Sequence, residues 1–192
     1  LAPGFKTDPK KFLPQFLQEL YGISVDQAQG MIDHVTNSVK EVGLEYDLNK
    51  AIPANSFNAH RLSHFAKGKG VQEKIEERMF KAYFIEGKNI DDIPTLTKLA
   101  NEIGLDTFEV KNILESSNFT EDVNRDLAEA TLKGITSVPK YVFNSNSIIS
   151  GGQDSNVYLE TLEREFSIWQ NDNRKNESEI PDRESCKIGE VC

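Results

Sequence analysis

Two cysteines near the end of the chain are the residues best suited to redox chemistry. Cys186 and Cys192 are the only cysteines in the sequence, and five residues separate them. That spacing can close a small disulfide ring, and the adjacent Lys187 modestly favours a thiolate. Two free thiols on a polar tail fit the same residues equally well. Cys186 and Cys192 are therefore a candidate secondary redox pair whose pairing stays open.

Two histidines have a spacing that can hold zinc. His60 and His64 are four residues apart, which places both imidazoles on one face of a helix. No Glu follows His60 to complete a His-Glu-x-x-His motif, and the one further histidine is His34. We therefore predict no metal site, and assign this helix face a structural or groove-lining role.

Charge and composition exclude several function classes. The chain has 22 Lys and Arg against 31 Asp and Glu, a formal net charge of −9. Nucleic acids and acidic membranes attract a positive surface, so we predict neither as a partner. No apolar run approaches the ~18 residues of a membrane span. Because the cysteines lie only at the chain end, we predict a soluble protein in a reducing compartment, the cytoplasm.

Most of the chain has the pattern of helices. Apolar residues recur at three-to-four spacing, and Ser24, Asp92 and Asp106 are residue types that cap helix N termini. Glycines follow the periodic stretches, as is typical of helix C termini. These predicted helix ends are Gly22, Gly43, Gly68, Gly87, Gly104 and Gly134. The sequence thus predicts seven helices before residue 135.

Short strands then replace the helical pattern. Residues 140–143 and 147–150 are β-type runs around Asn-Ser-Asn, a hairpin signal. A last helix follows Asp154, and its apolar residues are expected to face inward: Leu159, Leu162, Phe166 and Trp169. Two strands with apolar residues on both faces need further strands and helices to cover them. We therefore predict an α/β fold whose partner strands lie before Leu1.

Several segments resemble a known family. Residues 55–62 read Asn-Ser-Phe-Asn-Ala-His-Arg-Leu, and residues 134–143 read Gly-Ile-Thr-Ser-Val-Pro-Lys-Tyr-Val-Phe. Further agreements lie at 81–87, 99–106 and 150–153. Together they resemble the FrnE-like branch of the DsbA thiol–disulfide oxidoreductases, in order over roughly residues 1–168. The resemblance implies a thioredoxin-like fold, partial in this chain, with a large helical insertion domain.

The resemblance also implies which residues face a substrate. In this family the proline before the hairpin is cis and lies at the redox site, which makes Val138 and Pro139 the substrate side. The residue before that proline modulates redox behaviour, so Val138 is a candidate tuning position. In this family the stretch that corresponds to Asn55 to Arg61 lies near the active groove. The resemblance therefore adds candidate substrate contacts at Asn55, Phe57, His60 and Arg61.

One departure from the family is central. Family members begin with a strand and a Cys-x-x-Cys at a helix N terminus, where the helix dipole lowers the pKa of the first thiol. The present sequence contains no Cys-x-x-Cys. We therefore expect the strand–helix–strand unit with the catalytic cysteines to precede Leu1.

The resulting hypothesis is an oxidoreductase acting through mixed disulfides with protein or peptide thiols and disulfides. No cofactor is expected, although glutathione is a possible co-substrate. The alternatives are a glutathione-dependent isomerase or transferase similar to hydroxychromene-carboxylate isomerases, and a non-catalytic thioredoxin-like binding module. The oligomeric state stays open.

The predicted domain organisation has four parts. Residues 1–10 are a connector from the thioredoxin N-terminal half, and residues 11–117 are the helical insertion. Residues 118–170 form the C-terminal half of the thioredoxin-like domain, comprising a helix, the cis-proline turn, the hairpin and a helix. Residues 171–192 are a loosely held polar tail that carries the cysteine pair.

Overall fold

The computed structural model describes residues 4–144 and 147–178. In these ranges a short 3₁₀ helix spans Leu48–Lys50, and none of the helices is long and apolar enough to cross a membrane. The α-helices are α1 (Leu13–Tyr21), α2 (Val25–Glu41), α3 (Phe57–Gly68), α4 (Gln72–Phe84), α5 (Ile93–Glu102), α6 (Thr107–Glu115), α7 (Thr120–Leu132) and α8 (Ser155–Ser178). The strands are β1 (Lys140–Phe143) and β2 (Ser147–Ser150).

The predicted N-terminal caps are confirmed. Ser24 and Gln27 form a reciprocal capping box at the start of α2. Asp92 accepts a hydrogen bond from the Thr95 N–H, and Asp106 accepts one from the Glu109 N–H. Each carboxylate satisfies a backbone donor that a helix start leaves unpaired, which is why these positions begin helices.

One predicted helix end is wrong by two residues. Gly68 is still helical, and the left-handed residue after α3 is Gly70, with φ of 71°. Gly87 shows why a glycine is needed after α4. It has φ of 64°, and a Cβ there would lie 2.6 Å from the Lys50 carbonyl oxygen. The close approach of this backbone to the 3₁₀ helix therefore requires a residue without a side chain.

The chain divides into two compact units, Leu1–Glu129 and Ala130–Cys192. The division lies within α7, whereas the sequence places the end of the insertion domain just before that helix. In the first unit, α3, α4, α5 and α6 pack around a core whose most deeply buried side chains include Leu62, Ile75, Leu96, Leu99 and Val110. A smaller cluster joins Ile32, Leu48 and Ala51 to α1.

The predicted hairpin is confirmed in the second unit. β1 and β2 are antiparallel, with Lys140 opposite Ser150 and Phe143 opposite Ser147. The last helix is longer than predicted, because α8 continues to Ser178. A polar composition does not end a helix by itself, and the sequence has no glycine or proline from Asp154 to Ser178. The rest of the predicted tail, with Cys186 and Cys192, lies outside the described residues.

The buried stripe of α8 differs from the prediction. Thr161 and Glu165 are buried, together with Ile149 of β2. The apolar residues expected to face inward are each about half exposed: Leu159, Leu162, Phe166 and Trp169. The physical reason is a specific polar contact, described below, which turns the Glu165 side of the helix toward the hairpin.

Candidate functional site

The segment before the hairpin presents an exposed side chain. Val138 is 85% exposed, and the peptide bond between Val138 and Pro139 is cis. The Pro139 carbonyl accepts a hydrogen bond from the Gly151 N–H at 2.9 Å, which extends the hairpin pairing by one bond. The Lys140 ammonium donates to the Gly134 carbonyl at 2.7 Å. Both ends of the Val138–Pro139 segment are thus held, while the Val138 side chain stays accessible.

A buried carboxylate fixes the hairpin on α8. Glu165 is only 4% exposed, and it accepts hydrogen bonds from the Ser147 hydroxyl and from Asn144 Nδ2, the latter at 3.2 Å. The hydrogen bond from Ser147 lowers the pKa of Glu165. Tyr158 of α8 packs edge-on against Tyr141 of β1, with 5.0 Å between ring centroids. The position of the Val138–Pro139 segment therefore depends on polar and aromatic contacts with one helix.

Asn55 organises the start of α3. Its backbone N–H donates to the Thr7 hydroxyl at 2.8 Å, and its Nδ2 donates to the Phe5 carbonyl at 3.0 Å. Its Oδ1 accepts from the Phe57 N–H at 3.0 Å, so Asn55, which precedes the N-cap Ser56, satisfies the first backbone donor of α3. Thr7 in turn donates to Asp91 at 2.6 Å. Asn55 and Phe57 thus belong to a network that ties the segment before α1 to α3.

Arg61, a predicted substrate contact, is buried and hydrogen-bonded within the first unit. It is 5% exposed, and all five of its N–H donors are used. One of these donors bonds to the side chain of Asn58. The other four bond to the backbone carbonyls of Ile113, Leu114, Ser116 and Asn118, at 2.6–3.2 Å. These carbonyls end α6 and lead into α7, so the guanidinium joins α3 to the end of another helix.

His60 lies at the edge of a cavity of about 380 Å³ in the first unit. Desolvation lowers the pKa of His60 below its usual value, and the charge of His64 lowers it further, while Asp126 and Glu76 oppose this. One helical turn on, His64 Nε2 lies 2.8 Å from Asp126 Oδ2. The two histidines thus have different surroundings, although they share a face of α3.

The remaining polar groups of this cavity were missed by sequence analysis. The Ser63 hydroxyl donates to Glu76 Oε1, and Gln72 Nε2 donates to the same oxygen at 2.9 Å. Glu76 reads in the sequence as one of several acidic residues on a solvated helix face. Only the packing of α3 on α4 brings it beside Ser63. The one feature of the sequence that could have indicated this contact is the four-residue spacing of Gln72 and Glu76, which places their side chains side by side on α4.

The predicted site residues fall into two groups. Asn55, Phe57, His60 and Arg61 lie together on and before the N-terminal half of α3, in the first unit. Val138 and Pro139 precede β1 in the second unit. Cys186 and Cys192 are outside the described residues.

Comparison with known proteins assigns the family. A family model described as DSBA-like thioredoxin domain matches residues 7–163. The chain belongs to this family. The matched region begins at Thr7 and ends within α8. It therefore includes both the helical insertion and the hairpin of this DSBA-like chain. The expected DsbA-type family and the α/β architecture with a helical insertion are thereby confirmed.

Two individual proteins resemble the DSBA-like chain. The uncharacterized protein YwbO of Bacillus subtilis (strain 168) is 35% identical over 104 residues, which are 53% of this chain and 51% of that protein. The crystal structure of a probable DsbA oxidoreductase, SCO1869 from Streptomyces coelicolor, aligns with a TM-score of 0.77 and 28% identity. That alignment covers 86% of this chain and 71% of the other. The chain spans about half the length of the curated relative.

We predict that Arg61→Ala destabilises the DSBA-like chain by about 2–4 kcal/mol, because it leaves buried carbonyls without donors. Arg125→Ala is the matched control, since it removes an exposed ion pair with Asp122 and should change stability by less than about 0.5 kcal/mol. Urea denaturation measures both. An Arg61→Ala variant as stable as wild type would contradict this structural role.

We predict that His60 titrates below the ordinary histidine pKa of 6.5 in the folded chain. As the pH falls, the unfolded state then takes up this proton before the folded state does. The folded state therefore loses stability below neutral pH, until the pH passes the lowered pKa. In His60→Gln this part of the pH dependence should disappear. NMR titration of the imidazole and denaturation at several pH values test this, and a pKa at or above 6.5 would contradict it.

Proposed function

We propose that this chain is part of a DsbA-type thiol–disulfide oxidoreductase of the FrnE-like branch, acting on protein or peptide thiols in the cytoplasm. The observation that carries the proposal is the exposed Val138 before a hairpin that is held on α8, within a family match over residues 7–163. The likeness to a probable DsbA oxidoreductase supports the same reaction class.

The proposed reaction is thiol–disulfide exchange. In the oxidising direction, a substrate thiolate attacks one sulfur of the enzyme disulfide, forming a mixed disulfide and releasing the other enzyme sulfur as a thiolate. A second substrate thiolate then attacks the mixed disulfide. The substrate leaves with a new disulfide, the enzyme keeps both sulfurs reduced, and two electrons have passed from substrate to enzyme. The reverse steps reduce a substrate disulfide.

Val138 and Pro139 form the substrate side of the site in this proposal. Pro139 has no N–H, so it offers the reacting sulfur no competing donor at that position. The accessible Val138 side chain provides an apolar contact beside the scissile disulfide. Because the Pro139 carbonyl is held by Gly151, a docked peptide meets a backbone that is already ordered.

We place the catalytic Cys-x-x-Cys in a segment of the full-length protein that precedes Leu1, because the 192 residues contain only Cys186 and Cys192. The exposed apolar side chains of the second unit support this placement. Val142 and Ile148 on the hairpin, and Phe166 and Trp169 on α8, are about half exposed. Apolar residues on both strands and on the helix are typical of surfaces that further strands and helices cover.

The deciding experiment is the intact mass of the natural protein from its source, with thiols alkylated before and after reduction. The proposal expects a mass larger by roughly 40–60 residues, the span of a strand–helix–strand unit, and two further alkylatable cysteines. A mass equal to that of these 192 residues, with only Cys186 and Cys192 reacting, would overturn it. Transfer of glutathione to small electrophiles without disulfide exchange would favour the isomerase or transferase alternative.

We predict that Val138→Asp lowers kcat/KM for oxidation of a dithiol peptide by the full-length protein about tenfold, because it replaces an apolar contact with a charge. Leu132→Asp is the matched control. Leu132 is 88% exposed at the end of α7, and the same change there should alter kcat/KM less than about twofold. Equal rates for Val138→Asp and wild type would remove Val138 from the substrate side.

A further inference from the structure

The cavity beside His60 has the size and shape of a small-molecule site. Its volume of about 380 Å³ lies within the ~300–1,000 Å³ range of ligand pockets. Its walls come from α3, from α4 and from the segments that precede α3 and α5. All lie within the first unit, so one compact body forms the cavity.

One wall of the cavity is aromatic. Phe80, Tyr83 and Phe84 of α4 line it, together with Met79. The rings of Phe80 and Phe84 have centroids 6.2 Å apart, and those of Tyr83 and Phe84 are perpendicular at 5.0 Å. More than half of the Phe80 side chain is exposed, although a phenylalanine is usually buried. This wall therefore offers apolar surface, and ring faces that attract cations.

The same helix carries a carboxylate with one free oxygen, because Glu76 lies about one turn before Phe80 on α4 and also lines the cavity. Both hydrogen bonds of the Glu76 side chain, from Ser63 and Gln72, end on Oε1. Within the described ranges Oε2 has no hydrogen-bond or ion-pair partner. The two donors fix the carboxylate in place, and they leave half of its acceptor capacity for a ligand.

The charge of the lining selects a cation. No lysine or arginine is among the described residues that line the cavity, so Glu76 supplies its one formal charge. The other polar groups there are the hydroxyls of Ser56, Ser63 and Tyr83 and the imidazole of His60, whose pKa is lowered by desolvation. An anionic ligand would face this carboxylate without a counter-charge, whereas an ammonium group would pair with it.

We propose that this cavity binds an aromatic or other apolar group that carries a primary ammonium. The apolar body packs against Met79, Phe80 and Tyr83, and the ammonium donates to Glu76 Oε2. This site uses no cysteine, although its lining includes His60, one of the predicted substrate contacts. Its test below measures binding alone, and failure of one proposal leaves the other standing.

The test compares three probes of similar size on the full-length protein: 2-phenylethylamine, 2-phenylethanol and 3-phenylpropanoate. NMR titration gives each dissociation constant. We expect the amine to bind about tenfold more tightly than the neutral alcohol, because the charge-assisted hydrogen bond is lost in the alcohol. The anion should bind most weakly. Equal affinities for the three probes, or no saturable binding of the amine, would overturn the proposal.

Glu76→Gln tests the carboxylate directly. It removes the charge but keeps an oxygen for Ser63, so the amine should lose its tenfold advantage while the alcohol binds as before. Glu73→Gln is the matched control, with the same charge change on an exposed residue of α4 outside the cavity. Loss of selectivity in Glu73→Gln would show a general charge effect and contradict the site. Thermal unfolding of both variants checks the fold, and the wild-type probe comparison stands without them.

An aromatic group that carries a primary ammonium occurs both in free arylalkylamines and at the amino terminus of a peptide that begins with Phe. The tripeptide Phe-Gly-Gly separates these two sources. Tighter binding of the tripeptide than of 2-phenylethylamine assigns the site to peptide amino termini, and the reverse order assigns it to free amines. Either order supports the ammonium site only if Glu76→Gln weakens binding of the ligand that binds more tightly to the wild type.

Discussion

The buried guanidinium of Arg61 is the interaction on which the helical unit most depends. A helix C terminus leaves carbonyls unpaired, and a buried one needs donors from elsewhere in the molecule. Arg61 supplies four such bonds to the end of α6 and the turn after it, and its positive charge suits the negative end of the helix dipole. Because Arg61 is itself on α3, this single side chain links α3 to the end of α6 beside the core that the two helices share.

The remaining geometry of the unit follows from a fixed α3. Its buried face carries Leu62, Phe65 and Ala66 into the core. Its first backbone N–H, that of Phe57, donates to Asn55, which is tied through Thr7 to Asp91. With the helix held at both its start and its middle, packing against α4 places Ser63 beside Glu76. The cavity and its carboxylate are thus consequences of helix packing and not of any local motif.

The second unit is organised around a different polar contact. Glu165 is buried against the hairpin, where Asn144 and Ser147 donate to it. A buried carboxylate is stable only with such partners, so this face of α8 must meet the hairpin. The apolar stripe that includes Phe166 and Trp169 is consequently left about half exposed. The same contact positions the segment that begins with Val138.

The sequence by itself determined the helices, the caps at Ser24, Asp92 and Asp106, the hairpin strands and the family, because each depends on local patterns or on a continuous run of residue types. The sequence also indicated two segments as candidate substrate contacts: the start of α3 and Val138–Pro139. Only the tertiary structure decided that Arg61 bonds to the end of α6, that Glu165 is buried against the hairpin while Leu162 stays half exposed, and that Glu76 meets Ser63. These outcomes depend on which distant backbone and side-chain groups need hydrogen-bond partners after packing, and the linear pattern of one helix contains no information about its neighbours.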